Sequence, residues 1–196
     1  MEKNSKNGKK LDFTKQKLMT AASELADECE DGSKLTSRAI AKKAGVPLGM
    51  INYCFKSREA LLYEVFSRNR QKYIKSLKIE QILRSEISPK EKLRKMHYIV
   101  AEFLIKEYKF TRAVMSYVLL HRDLTEEQSS LPFVKAHFAG RKTDEECKII
   151  AYELSSMLQL IIYRLDDFRE LSGMDLRDEK QLHRLIDMRI DTLLGD

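Results

Sequence analysis

A chain of 196 residues, 43% hydrophobic and 34% charged, carries enough apolar material for a real core in one domain or two small ones. Seven Gly and three Pro leave too few turn residues for a strand-dense architecture, and no apolar run approaches the roughly 20 residues of a membrane span. Three scattered Cys argue against a disulfide framework and fit reduced thiols, so an all-α, soluble, cytoplasmic protein is expected.

Residues 1–10, MEKNSKNGKK, hold four Lys and one Glu with no apolar segment behind them. That pattern is no signal peptide and reads as a disordered basic tail, either solubilising or an arm reaching for phosphate or the minor groove. A first helix is predicted from about Asp12 to Cys29, with Leu18, Met19, Ala22, Leu25, Ala26 and Cys29 on one stripe. Asp31-Gly32-Ser33 is expected to close it.

The stretch from Thr36 to Leu62, TSRAIAKKAGVPLGMINYCFKSREALL, organises the rest. Thr36 suits an N-cap, and Ile40, Ala41 and Ala44 share a face behind it. Gly45-Val46-Pro47 breaks the helix, and Leu48, Ile51 and Phe55 resume helical spacing. Two short helices about a sharp turn form a helix-turn-helix, whose second helix enters the DNA major groove. Charge points the same way. From Gly32 to Arg58 the chain has six basic residues (Lys34, Arg38, Lys42, Lys43, Lys56, Arg58) and no acid, against 36 basic and 30 acidic residues overall. This one segment therefore carries charge equal to the whole excess of +6, the kind of surface a phosphate backbone attracts. A merely solvated helical face is the plain alternative.

Residues from about Asp12 to Phe66 resemble the DNA-binding domain of the tetracycline-repressor (TetR) family of bacterial regulators. The resemblance rests on Ala22, Thr36, Ile40-Ala41, Ala44-Gly45-Val46, Gly49, Phe55-Lys56-Ser57-Arg58-Glu59 and Leu61-Leu62, in order and spacing. Asn52 and Cys54 stand where that family often has Tyr and His, and Pro47 replaces a common Ser.

Side-chain chemistry assigns roles within this segment. Arg38 has the fork to meet a guanine edge, and Asn52 the donor-acceptor pair suited to adenine. Leu48 or Met50 can press on a thymine methyl, with Pro47 and Gly49 in the first turn. Thr36 and Ser37 offer hydroxyls and backbone N–H groups to phosphate, and Tyr53, Lys56 and Arg58 are read as further phosphate contacts. Ile40, Ala44, Val46, Ile51 and Phe55 read as core.

Beyond the head, Ser57 is a natural N-cap for a helix from Glu59 to about Leu77 carrying Leu62, Val65, Phe66, Tyr73 and Leu77. Pro89 opens the next helix, with Leu93, Met96, Val100 and Phe103 as its stripe. Phe110, Val114, Tyr117, Val118 and His121 make another, and a weaker segment runs from Glu126 to Ala139. The longest helix is predicted from about Asp144 to Leu171, apolar on more than one face, and the last from about Arg177 to Leu194. That surplus implies a second burial partner. The expected organisation is a tail over 1–10, a helix-turn-helix domain over 11–58 and a helical ligand-binding and dimerisation domain over 59–196.

The family resemblance implies an inducer pocket in the body, with Met96, Phe103, Phe110, Tyr117, His121, Met157 and Tyr163 as candidate lining residues; ordinary core is the competing reading for each. It also implies a dimer interface from the two closing helices, for which Leu154, Leu158, Ile161, Leu182, Ile186 and Leu193 are the candidates.

Other chemistries find little support. His121-Arg122-Asp123-Leu124 imitates a kinase catalytic loop, but no Gly-rich phosphate loop, strand Lys or Asp-Phe-Gly accompanies it. The four His are isolated, so neither metal nor cofactor is expected, although His97, His121 and His137 could meet across helices. The partners expected are a double-stranded DNA operator, a second copy of the chain and a small-molecule effector of unknown identity, in a repressor rather than an enzyme. An architectural DNA-binding protein without an inducer is the alternative.

Overall fold

Most helix boundaries are set by groups that answer the backbone N–H and C=O left unpaired at helix ends. The computed structural model describes residues 2–28, 35–76, 79–121, 123, 124 and 128–195, with residues 2–7, 9 and 76 by backbone alone. Among these are eleven helices and no strand. They are α1 (Glu2–Glu28), α2 (Ser37–Ala44), α3 (Gly49–Phe55), α4 (Arg58–Ser76), α5 (Ile79–Arg84), α6 (Pro89–Lys106), α7 (Tyr108–His121), α8 (Leu131–Phe138), α9 (Asp144–Tyr163), α10 (Leu165–Ser172) and α11 (Glu179–Leu194). No helix is long and apolar enough to cross a membrane among the described residues.

Several starts follow from caps. Ser57 accepts from the Ala60 N–H at 3.0 Å, Ser88 from Glu91 at 3.2 Å and Asp178 from Gln181 at 2.9 Å. Thr143 and Glu146 form a reciprocal capping box that opens α9. Gly173, at φ 73°, ends α10 in the left-handed conformation.

The helices depart from the sequence reading in three places. First, α1 begins at Glu2, so the backbone expected as a disordered tail is helical. Lys and Glu are good helix formers, no Pro intervenes, and extending a formed helix costs far less than nucleating one. Second, the helix predicted from Asp144 to Leu171 is two helices, broken at Arg164, whose φ of −104° and ψ of 40° leave the helical region. Arg164 carries no breaker signature; packing overrides its propensity, and Leu165 behind it is 1% exposed. Third, α5 is short and its single buried residue, Ile79, gives no stripe to read. Cys29, Asp31-Gly32-Ser33, Lys34, Leu77, Arg122 and Glu126 lie outside the described residues.

The chain forms two compact units, one of residues 1–71 with 108–120 and one of 72–107 with 121–196. The first unit thus takes in most of α4 and nearly all of α7, which the sequence reading assigned to the C-terminal domain. In it α1 packs on α2 and α3, and Leu18, Ala22, Ile40, Ala41, Ile51 and Phe55 are buried. Two aromatic pairs tie α4 to α7. Phe66 stacks on Phe110 with centroids 6.3 Å apart, and Tyr63 meets Tyr117 at 5.9 Å.

In the second unit α6 packs on α5, α8, α9 and α11, and α8 and α11 both pack on α9. Lys90, Arg94, Tyr98 and Glu102 recur every four residues along α6, as do Glu179, His183, Asp187 and Asp191 along α11. The helices run antiparallel, so these rows meet rung by rung. Lys90 pairs with Asp191 at 2.9 Å, Arg94 with Asp187 at 2.7 Å and Asp191 at 2.8 Å, and the Tyr98 hydroxyl donates to Asp187. His183 Nε2 lies 2.6 Å from Glu102. The hydrogen bond from Arg94, then that from Lys90, holds the Asp191 carboxyl at about 2, well below the usual carboxylate range.

Candidate nucleic-acid interface

The turn between α2 and α3 is a Schellman motif. Gly45, at φ 64° and ψ 38°, donates its N–H to Lys42 O at 3.2 Å, while Val46 N–H reaches Ala41 O at 3.1 Å. At the other end of α2, Thr36 is extended and its Oγ1 accepts from Ala39 N–H at 3.2 Å. Both features set the angle at which α3 leaves.

Helical geometry then sorts α3 by face. Ile51 and Phe55, four residues apart, are buried and fix the inner side. Leu48, Asn52 and Lys56 form one outward row and Gly49 and Tyr53 a second, all exposed. Leu48 is 49% and Tyr53 67% exposed, so this face carries large apolar area with nothing folded against it among the described residues. Met50 and Cys54 flank the face, half-buried, and burial pushes the Cys54 thiol up while Lys15 opposes that. Lys56 sits at φ 74°, a left-handed conformation uncommon for a residue with a Cβ, and its N–H closes α3 on Asn52 O at 3.0 Å.

The basic run divides once folded. Arg38, Lys42 and Lys56 are exposed and make no ion pair among the described residues. Lys43 turns to α1, with Nζ 2.6 Å from Glu28 and 3.5 Å from Glu24, and the Glu28 hydrogen bond raises its pKa. Arg58 is half-buried; it pairs with Glu59 at 2.8 Å and donates to Leu35 O at 3.5 Å. Three of the five described cations thus remain without an ion pair among the described residues, and the sixth, Lys34, lies outside them. Lys15, absent from the sequence-based set, joins this region, with its Nζ 5.9 Å from the Phe55 ring centroid. Thr36 and Pro47 are exposed and Ser37 is half-buried.

The candidate effector residues do not gather in one site. Phe110 and Tyr117 belong to the aromatic pairs of the first unit. Phe103 is buried in the second unit against Tyr73, at 5.2 Å. His121 is exposed, and Met96 and Tyr163 are half-buried. Only Met157 lines the cleft in the second unit, a narrow opening with a cavity of about 10 Å³, beside His97, Leu154, Leu158, Ile161, Leu185, Ile186, Arg189 and Ile190. Burial pushes the His97 imidazole down to about 4, so it is neutral at pH 7, and its Nε2 lies 3.1 Å from Ser130 Oγ. Arg189, which lines the cleft, buries its Nη2 without a hydrogen-bond partner among the described residues.

Four of the candidate dimer residues, Leu154, Leu158, Ile161 and Ile186, line this same cleft. Leu182 is buried and Leu193 half-buried. The apolar residues that α9 and α11 leave exposed are Ile149, Tyr152, Met157, Leu160 and Met188. The His97, His121 and His137 trio does not assemble among the described residues: His97 bonds Ser130, and His137 Nε2 lies 3.0 Å from Leu194 O.

No protein-family model and no curated protein matches the sequence. Among solved structures, a crystal structure of a TetR transcriptional regulator from Rhodococcus sp. RHA1 is similar over 96% of this chain and 98% of that one, with a TM-score of 0.57 and 19% identity. At that identity the likeness is one of fold, and the fold is the all-α one that the helix-turn-helix segment implied.

Proposed function

We propose that this chain is a sequence-specific DNA-binding transcriptional regulator, a homodimeric repressor of the TetR type released from a palindromic operator by a small-molecule inducer. The observation that carries the reading is the outward face of α3, where Leu48, Asn52, Tyr53 and Lys56 stand exposed behind a tight turn and near unpaired Arg38 and Lys42. Such a face has little use in a water-facing helix and suits a groove lined by base edges and phosphates. In this reading Arg38 and Asn52 read bases, Leu48 and Met50 press on thymine methyls, and Pro47 and Gly49 allow close approach. Thr36, Ser37, Tyr53 and Lys56 hold phosphate. Arg58 braces α4 through Glu59 and reaches DNA only by giving up that pair.

The second copy docks on α9 and α11 through Ile149, Tyr152, Leu160 and Met188, the apolar residues that the protomer leaves in water. The effector enters the cleft, where Arg189 offers an unanswered N–H among aliphatic walls. An apolar molecule carrying an acceptor or anionic group suits these walls once they part, since the cleft as folded has room for about one water. Release then requires that this molecule bind two states of the body unequally.

Selection of bound sites from randomised duplex DNA tests the reading. Enrichment of a motif with dyad symmetry supports it. Retained DNA with no shared motif, bound with affinity that tracks salt alone, replaces it with an architectural protein.

A further inference from the structure

The ladder between α6 and α11 is charge-matched at one end and not at the other. Asp187 and Asp191 each meet Arg94, and Asp191 also meets Lys90. At the far end Glu102 bonds the His183 imidazole and Glu179 lies beside it, and no Lys or Arg comes within ion-pair reach of either carboxylate among the described residues. One ligand atom from each of Glu102, Glu179 and His183 lies within 4.8 Å of the others. Two carboxylates set against a single imidazole therefore leave a local excess of negative charge that no other described residue answers.

We infer that Glu102, Glu179 and His183 form a site for a divalent transition-metal ion of the zinc type, which clamps α6 to α11. Spacing supplies two of the ligands from one surface, because Glu179 and His183 are four residues apart on α11. The ring is already aimed. Tyr98 stacks on His183 with centroids 3.9 Å apart and planes at 15°, and Asp187 accepts the Tyr98 hydroxyl. Such a support fixes a ligand's orientation before the ion arrives.

The donor set of one imidazole nitrogen and two carboxylate oxygens favours zinc over magnesium or calcium, which take oxygen alone. Tetrahedral bonds of 2.0–2.1 Å place ligand atoms about 3.3 Å apart. The 2.6 Å separation of His183 Nε2 from Glu102 must open slightly, and Glu179, exposed and without a partner among the described residues, closes in. Coordination takes the Nε2 lone pair, so the imidazole adopts the Nδ1–H form and the hydrogen bond to Glu102 is exchanged for a shared ion. A fourth position faces water, since His183 and Glu102 side chains are 27% and 33% exposed. The site is independent of DNA binding.

Calorimetric titration of the chelator-stripped full chain with zinc chloride is the test. One saturable equivalent per chain is expected, none with magnesium chloride, together with a higher melting temperature in zinc. Glu179→Gln is the decisive variant, because Glu179 takes no part in the His183–Glu102 hydrogen bond. It should leave the metal-free melting temperature nearly unchanged and weaken zinc at least about tenfold. Cobalt(II) should give visible d–d absorption in the parent that is lost in Glu179→Gln. Absence of saturable uptake, or equal zinc affinity in Glu179→Gln and parent, overturns the site and leaves the cluster as a hydrogen bond alone. A zinc equivalent that persists in His183→Ala does the same.

Discussion

Two glycines four residues apart in the helix-turn-helix should respond oppositely to the same substitution. Gly45 has φ 64°, and a Cβ built on it meets nothing within 4 Å. Crowding is therefore no part of the cost of Gly45→Ala; what remains is left-handed backbone strain of about 1–2 kcal/mol. Alanine also narrows the unfolded ensemble, which returns about 0.4–1 kcal/mol, so the net loss is about 1 kcal/mol. Gly49 lies outside the left-handed region, and its Cβ likewise meets nothing within 4 Å. Gly49→Ala keeps the entropic gain without strain and should stabilise by about 0.5 kcal/mol. For a chain of this size each kcal/mol moves the melting temperature by about 2–4 °C. Thermal unfolding without DNA should thus place the first variant a few degrees below the parent and the second a degree or two above it. Shifts of the same sign, or an unchanged melt for Gly45→Ala, would refute the claim that the turn depends on a left-handed residue.

Three further outcomes follow from residues already placed. Arg38→Ala should cost on the order of 1–3 kcal/mol at the selected site and relax preference at one position, whereas Lys56→Ala should weaken all sequences alike and flatten the salt slope by about one. Competition binding across a salt series separates the two, and identical behaviour removes the division into base and phosphate contacts. His97, buried with a folded pKa of about 4 against an ordinary 6.5, binds fewer protons folded than unfolded between those values. Stability should therefore fall as pH drops from about 6.5 to 4, by on the order of 3 kcal/mol at most. His97→Gln should flatten that part of the melting profile, and a slope unchanged by it would place the acid sensitivity elsewhere. Leu160→Lys should convert the proposed dimer to monomer in sedimentation at micromolar concentration, because Leu160 is 44% exposed on α9. A dimer that persists moves the interface off this face.

Local chemistry was readable from the sequence, and long-range pairing was not. Thr36, Gly45, Ser57 and Pro89 act on groups within a few residues, so composition alone locates the helix ends they make. The neutralisation of Lys43 depends on Glu28, 15 residues back, and Arg58, neutralised by its neighbour Glu59, is also drawn to Leu35 O, 23 back. A count of charges along the chain cannot see either, and so it overstates the basic surface. Periodicity finds apolar stripes but does not say which side of a wide stripe the protomer itself covers. Leu154 and Leu158 fill their own subunit's cleft while Ile149 and Leu160 on the same helix remain exposed. His183 and Glu102 are 81 residues apart, so nothing local marks them as neighbours.

The four-residue recurrence on α6 and α11 also restricts motion. Four residues advance a helix by about 6 Å, so sliding α11 past α6 by roughly one turn would bring each rung to the next partner. One direction carries Lys90 past Asp191 to where the row has no carboxylate; the other sets Lys90 against Asp187 but leaves Arg94 facing His183 and Asp191 unmatched. Both trade salt bridges for repulsion or for unmatched charge. The pair therefore works like a key that fits one register, and any change of shape in this unit must carry α6 and α11 together while other helices move against them.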